Sequence, residues 1–228
     1  MSETMVLAKR LLRAVCIWVG IGLVTLSAWG WQRISTFWDQ LPRALLMPVW
    51  LGLAIYGALR DTHTSTSGGK LEIRRHRRFF WQVVLPVLTL WFIYLPFADS
   101  HQLGIYAASW IRWAGLIGFT LSMGLRIESI RAQGPQFSMA VAIQEGHKLA
   151  THGPYRIVRH PAYLGIIGII LGISWVFANF LVGILMSLFV WIWMETRIIE
   201  EEKLLVGEFG DRYNQYRHRT AKLLPFVY

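Results

Sequence analysis

Long stretches without a charged residue constrain the fold of this chain more than any other feature. Three of them cover residues 14–32, 44–59 and 79–98, and a fourth, 162–194, is 33 residues long. A helix needs about 20 mostly apolar residues to cross the hydrocarbon core of a bilayer, so each of the first three predicts one membrane span. Apolar residues make up 54% of the chain, more than a soluble domain usually carries. The chain is therefore predicted to be an integral membrane protein.

The 33-residue stretch is too long for one crossing, because it would rise about 50 Å as a straight helix. We expect it to fold back near Ala178 and Asn179 and to contribute two spans. A further candidate span, 104–125, carries Arg112, whose charged end is expected to reach the outer interface.

The predicted fold class is an all-α polytopic membrane helical bundle of about six spans, with the last two helices forming a hairpin. Residues 1–126 would hold four transmembrane helices. Residues 127–228 would hold a cytoplasmic cofactor-binding loop, the hairpin and an amphipathic tail, all within one integrated membrane domain.

The basic residues indicate which side of the membrane each loop faces. With six spans, all of the 23 Lys and Arg residues except Arg33, Arg43 and Arg112 fall on one side. Cytoplasmic loops are enriched in Lys and Arg, so both termini are predicted to be cytoplasmic. The net charge of +10 is explained by this topology and by contact with anionic membrane lipid, so no nucleic-acid partner is expected. The expected location is a bacterial inner membrane, or the endoplasmic reticulum membrane of a eukaryote.

A polar block at 147–165 precedes the hairpin and concentrates side chains typical of a binding site. It holds three His, two Pro, two Tyr and three cationic residues. Pro161 suits the first turn of a helix, where no N–H is needed, so Arg159 and His160 would lie at the positive N-terminal end of that helix. Gly165 would let a ligand or a neighbouring helix approach closely.

A second charged segment, 195–202, follows the hairpin. Arg197 and Glu201 are four residues apart and share a helix face. Because a hairpin returns to the side that it left, this segment must lie near Arg159 and His160 at the cytoplasmic interface. The predicted site is a pocket bounded by membrane helices, where cations, His, Tyr and carboxylates meet.

The last third of the chain contains three elements in a fixed order. They are 153–165 (GPYRIVRHPAYLG), Arg197 with Glu201, Glu202 and Leu205, and Phe209-Gly210 with Tyr213, Tyr216 and Leu224-Pro225. This pattern resembles the isoprenylcysteine carboxyl methyltransferase and phospholipid methyltransferase superfamily of integral membrane enzymes. The resemblance implies that S-adenosylmethionine is the cofactor and that it is held without a Rossmann fold.

The resemblance also implies the roles of individual residues. The implied cofactor contacts are His147, Leu149, Gly153, Pro154, Tyr155, His160, Pro161, Tyr163, Glu201 and Glu202. The implied catalytic residues are Arg159, Arg197 and Glu202, with the two arginines facing the methyl acceptor.

The acceptor decides which chemistry these residues must supply. A carboxylate is already a nucleophile at neutral pH, so proximity, orientation and desolvation would carry most of the catalysis. The arginine pair would orient it by bidentate hydrogen bonds. An amine or thiol must first lose a proton, for which His160 or Glu202 is a candidate. The leading interpretation is O-methylation of a carboxylate on an isoprenylcysteine-like or other lipophilic acceptor, and phospholipid N-methylation and small-thiol methylation stay open.

Two functions outside this enzyme class also stay open. An NADPH-dependent isoprenoid or sterol reductase is one, because such reductases resemble the chain at its Arg-His-Pro-x-Tyr-x-Gly element. A non-enzymatic accessory protein of a metal-resistance system is the other. No bound metal is expected, because His147, His152 and His160 have no carboxylate or Cys at metal-binding spacing.

Two segments have a predicted structure of their own. Residues 137–151, with a turn-like break at 144–146, predict a small β-hairpin over the membrane surface. Tyr213, Tyr216 and residues 223–228 predict an amphipathic segment that lies on the membrane and closes the cofactor site.

Overall fold

The computed structural model describes residues 3–60, 78–103, 108–134, 137 and 148–225. Within these ranges the chain is helical, and its longer helices are numbered here in chain order. Their bounds are α1 Glu3–Trp29, α2 Leu41–Leu59, α3 Leu85–Ser100, α4 Ser109–Gln133, α5 Pro161–Val176, α6 Phe180–Phe209 and α7 Asp211–Arg219. Shorter helical turns lie at Trp31–Arg33, Ile34–Phe37, Phe80–Val84 and Gly153–Arg156.

Four of the described helical segments are long and apolar enough to cross a membrane. They are Thr4–Trp29, Leu41–Leu59, Phe80–Ser100 and Phe180–Phe209. Helix α5 is apolar but only 16 residues long, and α4 carries charged residues that lower its hydropathy. The helical character of the predicted bundle and these four candidate spans are confirmed, whereas the total of six spans stays a prediction.

The predicted hairpin is present, and its break falls at the predicted residues. Helix α5 ends at Val176 and α6 begins at Phe180. Between them Ala178 adopts φ 54°, in the left-handed region where residues other than Gly are uncommon. The side-chain amide of the buried Asn179 donates a hydrogen bond to the carbonyl oxygen of Phe177 at 2.8 Å. The chain therefore reverses within three residues, and α6 continues well past the start of α5.

Helices α4 and α5 approach each other at backbone contact distance. A Cβ atom on Gly172 would lie only 2.6 Å from the backbone nitrogen of Phe119. A Cβ atom on Gly165 would lie 2.9 Å from the Cβ atom of Arg126. Small residues permit such approach between membrane helices, whose association depends on van der Waals packing. The close contact predicted at Gly165 is confirmed, and the neighbouring element is helix α4.

A buried ionic network joins α2, α3 and α4 at the end of α5 that lies away from the polar block. The Asp99 carboxylate accepts hydrogen bonds from Arg43 at 2.9 Å and from two nitrogens of Arg112 at 2.8 and 2.7 Å. Arg112 also donates to the carbonyl oxygen of Val176 at 2.8 Å. The prediction that Arg112 reaches the outer interface is wrong, because its guanidinium pairs with the buried carboxylate of Asp99. Arg112 is only 8% exposed.

Two residues of the segment that was predicted to lie on the membrane are buried inside the protein. Tyr213 is 1% exposed and Leu223 is 2% exposed. The prediction is wrong for these two residues, because the tail pairs with the segment before α5 through a parallel bridge between Val158 and Ala221.

The predicted β-hairpin at 137–151 falls mostly on residues outside the described ranges. Its described residues, Phe137 and 148–151, are not in a strand.

Candidate functional site

The start of α5 contacts α6 through one buried carboxylate. His160 directly precedes Pro161, the first residue of α5. Glu202 of α6 accepts a hydrogen bond from Arg159 Nε at 2.9 Å and lies 3.3 Å from His160 Nε2. Arg217 Nε lies 3.7 Å from its second oxygen. A carboxylate at a helix N-terminus is stabilised by the helix dipole and by these cations. The predicted meeting of the polar block with the carboxylates of α6 is confirmed.

The C-terminal tail closes this contact from another side. The Arg159 backbone N–H donates to the carbonyl oxygen of Ala221 at 2.8 Å, next to the bridge with Val158. Arg159 NH1 also donates to the carbonyl oxygen of Thr220. The Arg159 guanidinium therefore holds Glu202 and the tail together.

A second contact joins α5 and α6 one turn further along α5. The Tyr163 hydroxyl donates to Glu201 Oε2 at 2.7 Å. The rings of His160 and Tyr163 are stacked, with centroids 5.7 Å apart and 10° between their planes. The guanidinium carbon of Arg197 lies 5.8 Å from the Tyr163 ring centroid and 5.4 Å from that of Trp193. Aromatic faces beside a carboxylate form a surface suited to a cationic ligand that carries an aromatic ring.

Two phenols lie next to this surface, Tyr155 from the turn before α5 and Tyr216 from α7. Gly153 begins the turn at φ +58°, a conformation that favours glycine, and Pro154 follows it. Tyr155 is 5% exposed, and burial raises the pKa of its hydroxyl. The Tyr216 hydroxyl donates to the carbonyl oxygen of Tyr155 at 2.8 Å, and burial raises the pKa of Tyr216 to about 12. Both phenols are therefore neutral at physiological pH.

The predicted site residues are brought together with few exceptions. His147 lies outside the described residues, and Leu149 is partly exposed in the segment that leads to the turn. The other predicted residues lie in the turn, at the start of α5 or on the facing part of α6; they are Gly153, Pro154, Tyr155, Arg159, His160, Pro161, Tyr163, Arg197, Glu201 and Glu202.

An apolar cavity of about 670 Å³ lies between α1, α3 and α5. Its lining includes Ile17, Val24 and Ile93, whose side chains are exposed on the outer faces of α1 and α3. The cavity therefore opens sideways, towards the lipid. Arg126 of α4 is the one charged residue in the described lining, and its NH1 group donates a hydrogen bond to the carbonyl oxygen of Ala162 at 3.2 Å. Arg126 was not among the predicted site residues; in the sequence it is a basic residue directly after the predicted span 104–125.

Other polar groups near the site were also missed. Lys222 of the tail forms an ion pair with Glu195 on α6. The buried indole N–H of Trp193 and the buried hydroxyl of Tyr213 have no hydrogen-bond partner among the described residues. Buried polar groups are normally hydrogen-bonded, so these two can be satisfied by a ligand. No cluster of three or more His, Cys, Asp or Glu suited to a metal ion occurs in the described part of the chain.

Comparison with known proteins shows the family of the chain. The profile of the Isoprenylcysteine carboxyl methyltransferase (ICMT) family matches residues 114–207. Protein-S-isoprenylcysteine O-methyltransferase B of Arabidopsis thaliana is 30% identical over 179 residues, which cover 78% of this chain and 85% of the plant protein. The chain belongs to the isoprenylcysteine carboxyl methyltransferase family. The family identified from the ordered motifs is therefore confirmed.

Further relatives match over a shorter length. Protein-S-isoprenylcysteine O-methyltransferase of Schizosaccharomyces pombe is 38% identical over 114 residues, and this chain spans 48% of its length. The Homo sapiens protein of the same name is 31% identical over 121 residues, and this chain spans 43% of it. The solved structure of a eukaryotic intramembrane Ras methyltransferase ICMT has a TM-score of 0.54 and covers 100% of this chain and 88% of its own, at 19% identity. That structure supports the membrane helical fold.

Proposed function

We propose that the chain is an S-adenosylmethionine-dependent membrane methyltransferase that O-methylates a carboxylate on an isoprenylcysteine-like or other lipophilic acceptor. The observation that carries the proposal is the meeting of the two family motifs in space. Arg159 contacts Glu202 at 2.9 Å, and Tyr163 contacts Glu201 at 2.7 Å. The proposed topology has six spans, both termini in the cytoplasm and the site at the cytoplasmic face of a bacterial inner membrane or endoplasmic reticulum.

The donor set of the cluster suits S-adenosylmethionine. This cofactor carries an adenine ring, a carboxylate, an ammonium group and a sulfonium. The aromatic faces of His160 and Tyr163 suit the ring or the sulfonium, and the Glu201 carboxylate suits the ammonium. The Trp193 indole N–H, without a partner among the described residues, suits the carboxylate. The remaining proposed contacts are His147, Leu149, Gly153, Pro154, Tyr155, Pro161 and Glu202.

The proposed reaction requires little acid–base chemistry from the protein. When bound beside His160, Tyr163 and Glu201, the cofactor would supply an electrophilic methyl group on a sulfonium, and an ionised carboxylate oxygen of the acceptor would be the nucleophile. No proton has to be removed. The protein contributes orientation and exclusion of water, and the 670 Å³ cavity provides room for the lipophilic part of the acceptor.

The surroundings of Glu202 argue against Glu202 as the base that an amine or thiol acceptor would need. Its oxygens already face Arg159, His160 and Arg217. A carboxylate that faces two guanidinium groups is a weak base, so Glu202, beside Arg159 and Arg217, is poorly suited to remove a proton from an acceptor. We assign Glu202 and Arg159 a positioning role, and Arg197 a place on the acceptor side.

Incubation of membranes that contain the chain with methyl-labelled S-adenosylmethionine and an S-prenylated cysteine acid tests this function. Label is expected in the lipophilic fraction and should be released as methanol by alkali, because esters are hydrolysed by base. Alkali-stable label in phospholipid would indicate N-methylation, and a volatile labelled thioether would indicate thiol methylation. Consumption of NADPH without any label would favour the reductase.

Two variants on α6 make the test specific for the site. Glu202→Gln removes the charge at the α5 N-terminus and is expected to lower methyl transfer at least about tenfold, since hydrogen bonds to charged groups contribute about 1.5–3 kcal/mol. Glu208→Gln changes an exposed carboxylate on the same helix and should leave methyl transfer within about twofold. Equal rates in the two variants would argue against a role for the cluster.

A further inference from the structure

A second pocket lies at the end of the bundle where α5 begins. It holds about 290 Å³, and its described lining consists of Arg159, which precedes α5, and of Asn214, Arg217 and His218 on α7. Arg217 and His218 follow Asn214 by three and four positions, so the three share one face of α7. Every lining side chain can donate a hydrogen bond, and the two guanidinium groups are always charged. A pocket with this lining is suited to an anion.

The positive charge of the pocket is only partly compensated. The Glu202 carboxylate faces both guanidinium groups, at 2.9 Å from Arg159 Nε and 3.7 Å from Arg217 Nε. One carboxylate balances two cations here, so one positive charge remains among these three groups. The Arg217 side chain is 45% exposed, and its guanidinium can therefore be reached from outside. In the described part of the chain, no side-chain hydrogen bond uses the Asn214 amide or the His218 imidazole.

The pocket and the proposed cofactor surface lie on different sides of α6. The cofactor surface includes Glu201, which accepts a hydrogen bond from Tyr163. The pocket lies beside Glu202, which faces Arg217. Side chains of consecutive helical residues point about 100° apart. The pocket is therefore a separate candidate site that borders the cofactor cluster at the pair of Arg159 and Glu202.

The length of α6 places the pocket at the depth of lipid headgroups. Glu202 lies 22 positions after Phe180, the first residue of α6. That distance corresponds to a rise of about 33 Å, whereas the hydrocarbon core of a bilayer is about 30 Å thick. Apolar surface is also exposed nearby, since Ile157, two residues before Arg159, is 61% exposed. A ligand in this pocket can thus have its anionic group in the pocket and its apolar chains in the membrane.

We propose that this pocket binds the phosphate group of an anionic membrane lipid. Guanidinium groups bind phosphate oxygens by paired hydrogen bonds, and basic pockets at the ends of membrane helices are suited to anionic headgroups. The donors approach from two walls, Arg159 on one side and α7 on the other. A tetrahedral phosphate offers oxygens in both directions, which a planar carboxylate does not. The bound lipid would hold α7 against the segment that precedes α5.

The test measures the binding of a fluorescent phosphatidylglycerol to the full chain in a neutral detergent, which contributes no surface charge. The wild type should bind this lipid at least about tenfold more tightly than a diacylglycerol with the same chains and label. Arg217→Gln should lose at least about tenfold in affinity for the phosphatidylglycerol alone, because it removes a charged hydrogen-bond donor. Arg219→Gln is the matched control, since Arg219 is an exposed arginine of α7 outside the described lining. Its affinity should stay within about twofold of the wild type.

A second pair of variants protects the test against misfolding of Arg217→Gln. Asn214→Asp keeps the size of the side chain but places a negative charge in the pocket, so phosphatidylglycerol binding should again fall at least about tenfold. Gln215→Glu adds the same charge at an exposed position of α7 and should have little effect. Equal affinities of Asn214→Asp and Gln215→Glu would overturn the inference.

Two competitors identify the natural occupant of the pocket. Inorganic phosphate in tenfold excess should displace less than half of the phosphatidylglycerol, because it has no apolar chains. Half-displacement at equal concentration would assign the pocket to free phosphate and overturn the lipid assignment. S-adenosylmethionine should not compete with the lipid. Competitive displacement by S-adenosylmethionine would show that the pocket is part of the cofactor site and would overturn the inference.

Discussion

Replacement of Asp99 by Asn is predicted to be among the most destabilising single substitutions in the chain. The Asp99 carboxylate has a side-chain exposure of 2% and accepts three hydrogen bonds from Arg43 and Arg112. Asn has nearly the same volume, so the substitution removes the charge and leaves the packing. Two guanidinium groups would then share a buried site without a counter-charge.

The magnitude follows from that loss of charge. Removing one partner of a buried ion pair lowers the free energy of unfolding by about 3–5 kcal/mol. For a chain of this size each kcal/mol corresponds to about 2–4 °C, so the apparent melting temperature should fall by about 6–20 °C. Thermal unfolding of the purified protein in one fixed detergent measures the shift.

Glu128→Gln is the control for the Asp99 substitution. Glu128 also pairs with an arginine, but its side chain is 36% exposed. Exposed ion pairs contribute about 0–1 kcal/mol, so the melting temperature should change by less than about 4 °C. A fall of less than 2 °C in Asp99→Asn, or equal falls in both variants, would refute the structural role assigned to the network.

Three further substitutions test the helix packing, the proposed cofactor surface and the tail. Gly172→Ala should lower the free energy of unfolding by about 1–3 kcal/mol, because its Cβ would lie 2.6 Å from the backbone of α4. In the control Gly118→Ala the new Cβ meets no atom within 4 Å, so the protein should not be destabilised. Equal melting temperatures of the two variants would contradict the close packing. Tyr163→Phe removes the 2.7 Å hydrogen bond to Glu201 and should weaken the binding of S-adenosylmethionine about five- to tenfold. Calorimetry measures the dissociation constant, and an unchanged value would count against the proposed cofactor surface. Lys222→Met removes an ion pair to α6 and should speed proteolysis of the tail severalfold without changing cleavage elsewhere; an unchanged rate would show that the pair does not anchor the tail.

The hairpin was predictable because it depends on length and charge alone. An uncharged stretch of 33 residues must reverse within the membrane, and Ala178 with Asn179 is where the structure reverses. The Arg112 network was not predictable in this way. Hydropathy finds the spans but does not say which helix faces meet, so nothing in the pattern indicated that Asp99 would lie beside Arg112.

The candidate site likewise contains some residues that were predictable from the sequence and others that were not. The ordered motifs identified the residues around Glu202, because the hairpin forces the two motifs to one end of the bundle. Arg126 and the pairing of Val158 with Ala221 were missed. Both depend on the packing of segments distant in sequence, and neither lies in a motif whose chemistry is visible from residue types. A buried Tyr213 likewise looks the same in sequence as a tyrosine on a membrane surface.

One assay with the purified protein decides whether the chain carries out the proposed methylation of a carboxylate. The protein is incubated with labelled S-adenosylmethionine and, in parallel, with an S-prenylated cysteine acid, its carboxamide and a phosphatidylethanolamine. Base-released labelled methanol is expected from the acid alone, at a rate reduced at least about tenfold in Glu202→Gln. Three results would contradict the proposed carboxylate methylation. They are equal labelling of the carboxamide, label in the phosphatidylethanolamine only, and no label with any of the three acceptors.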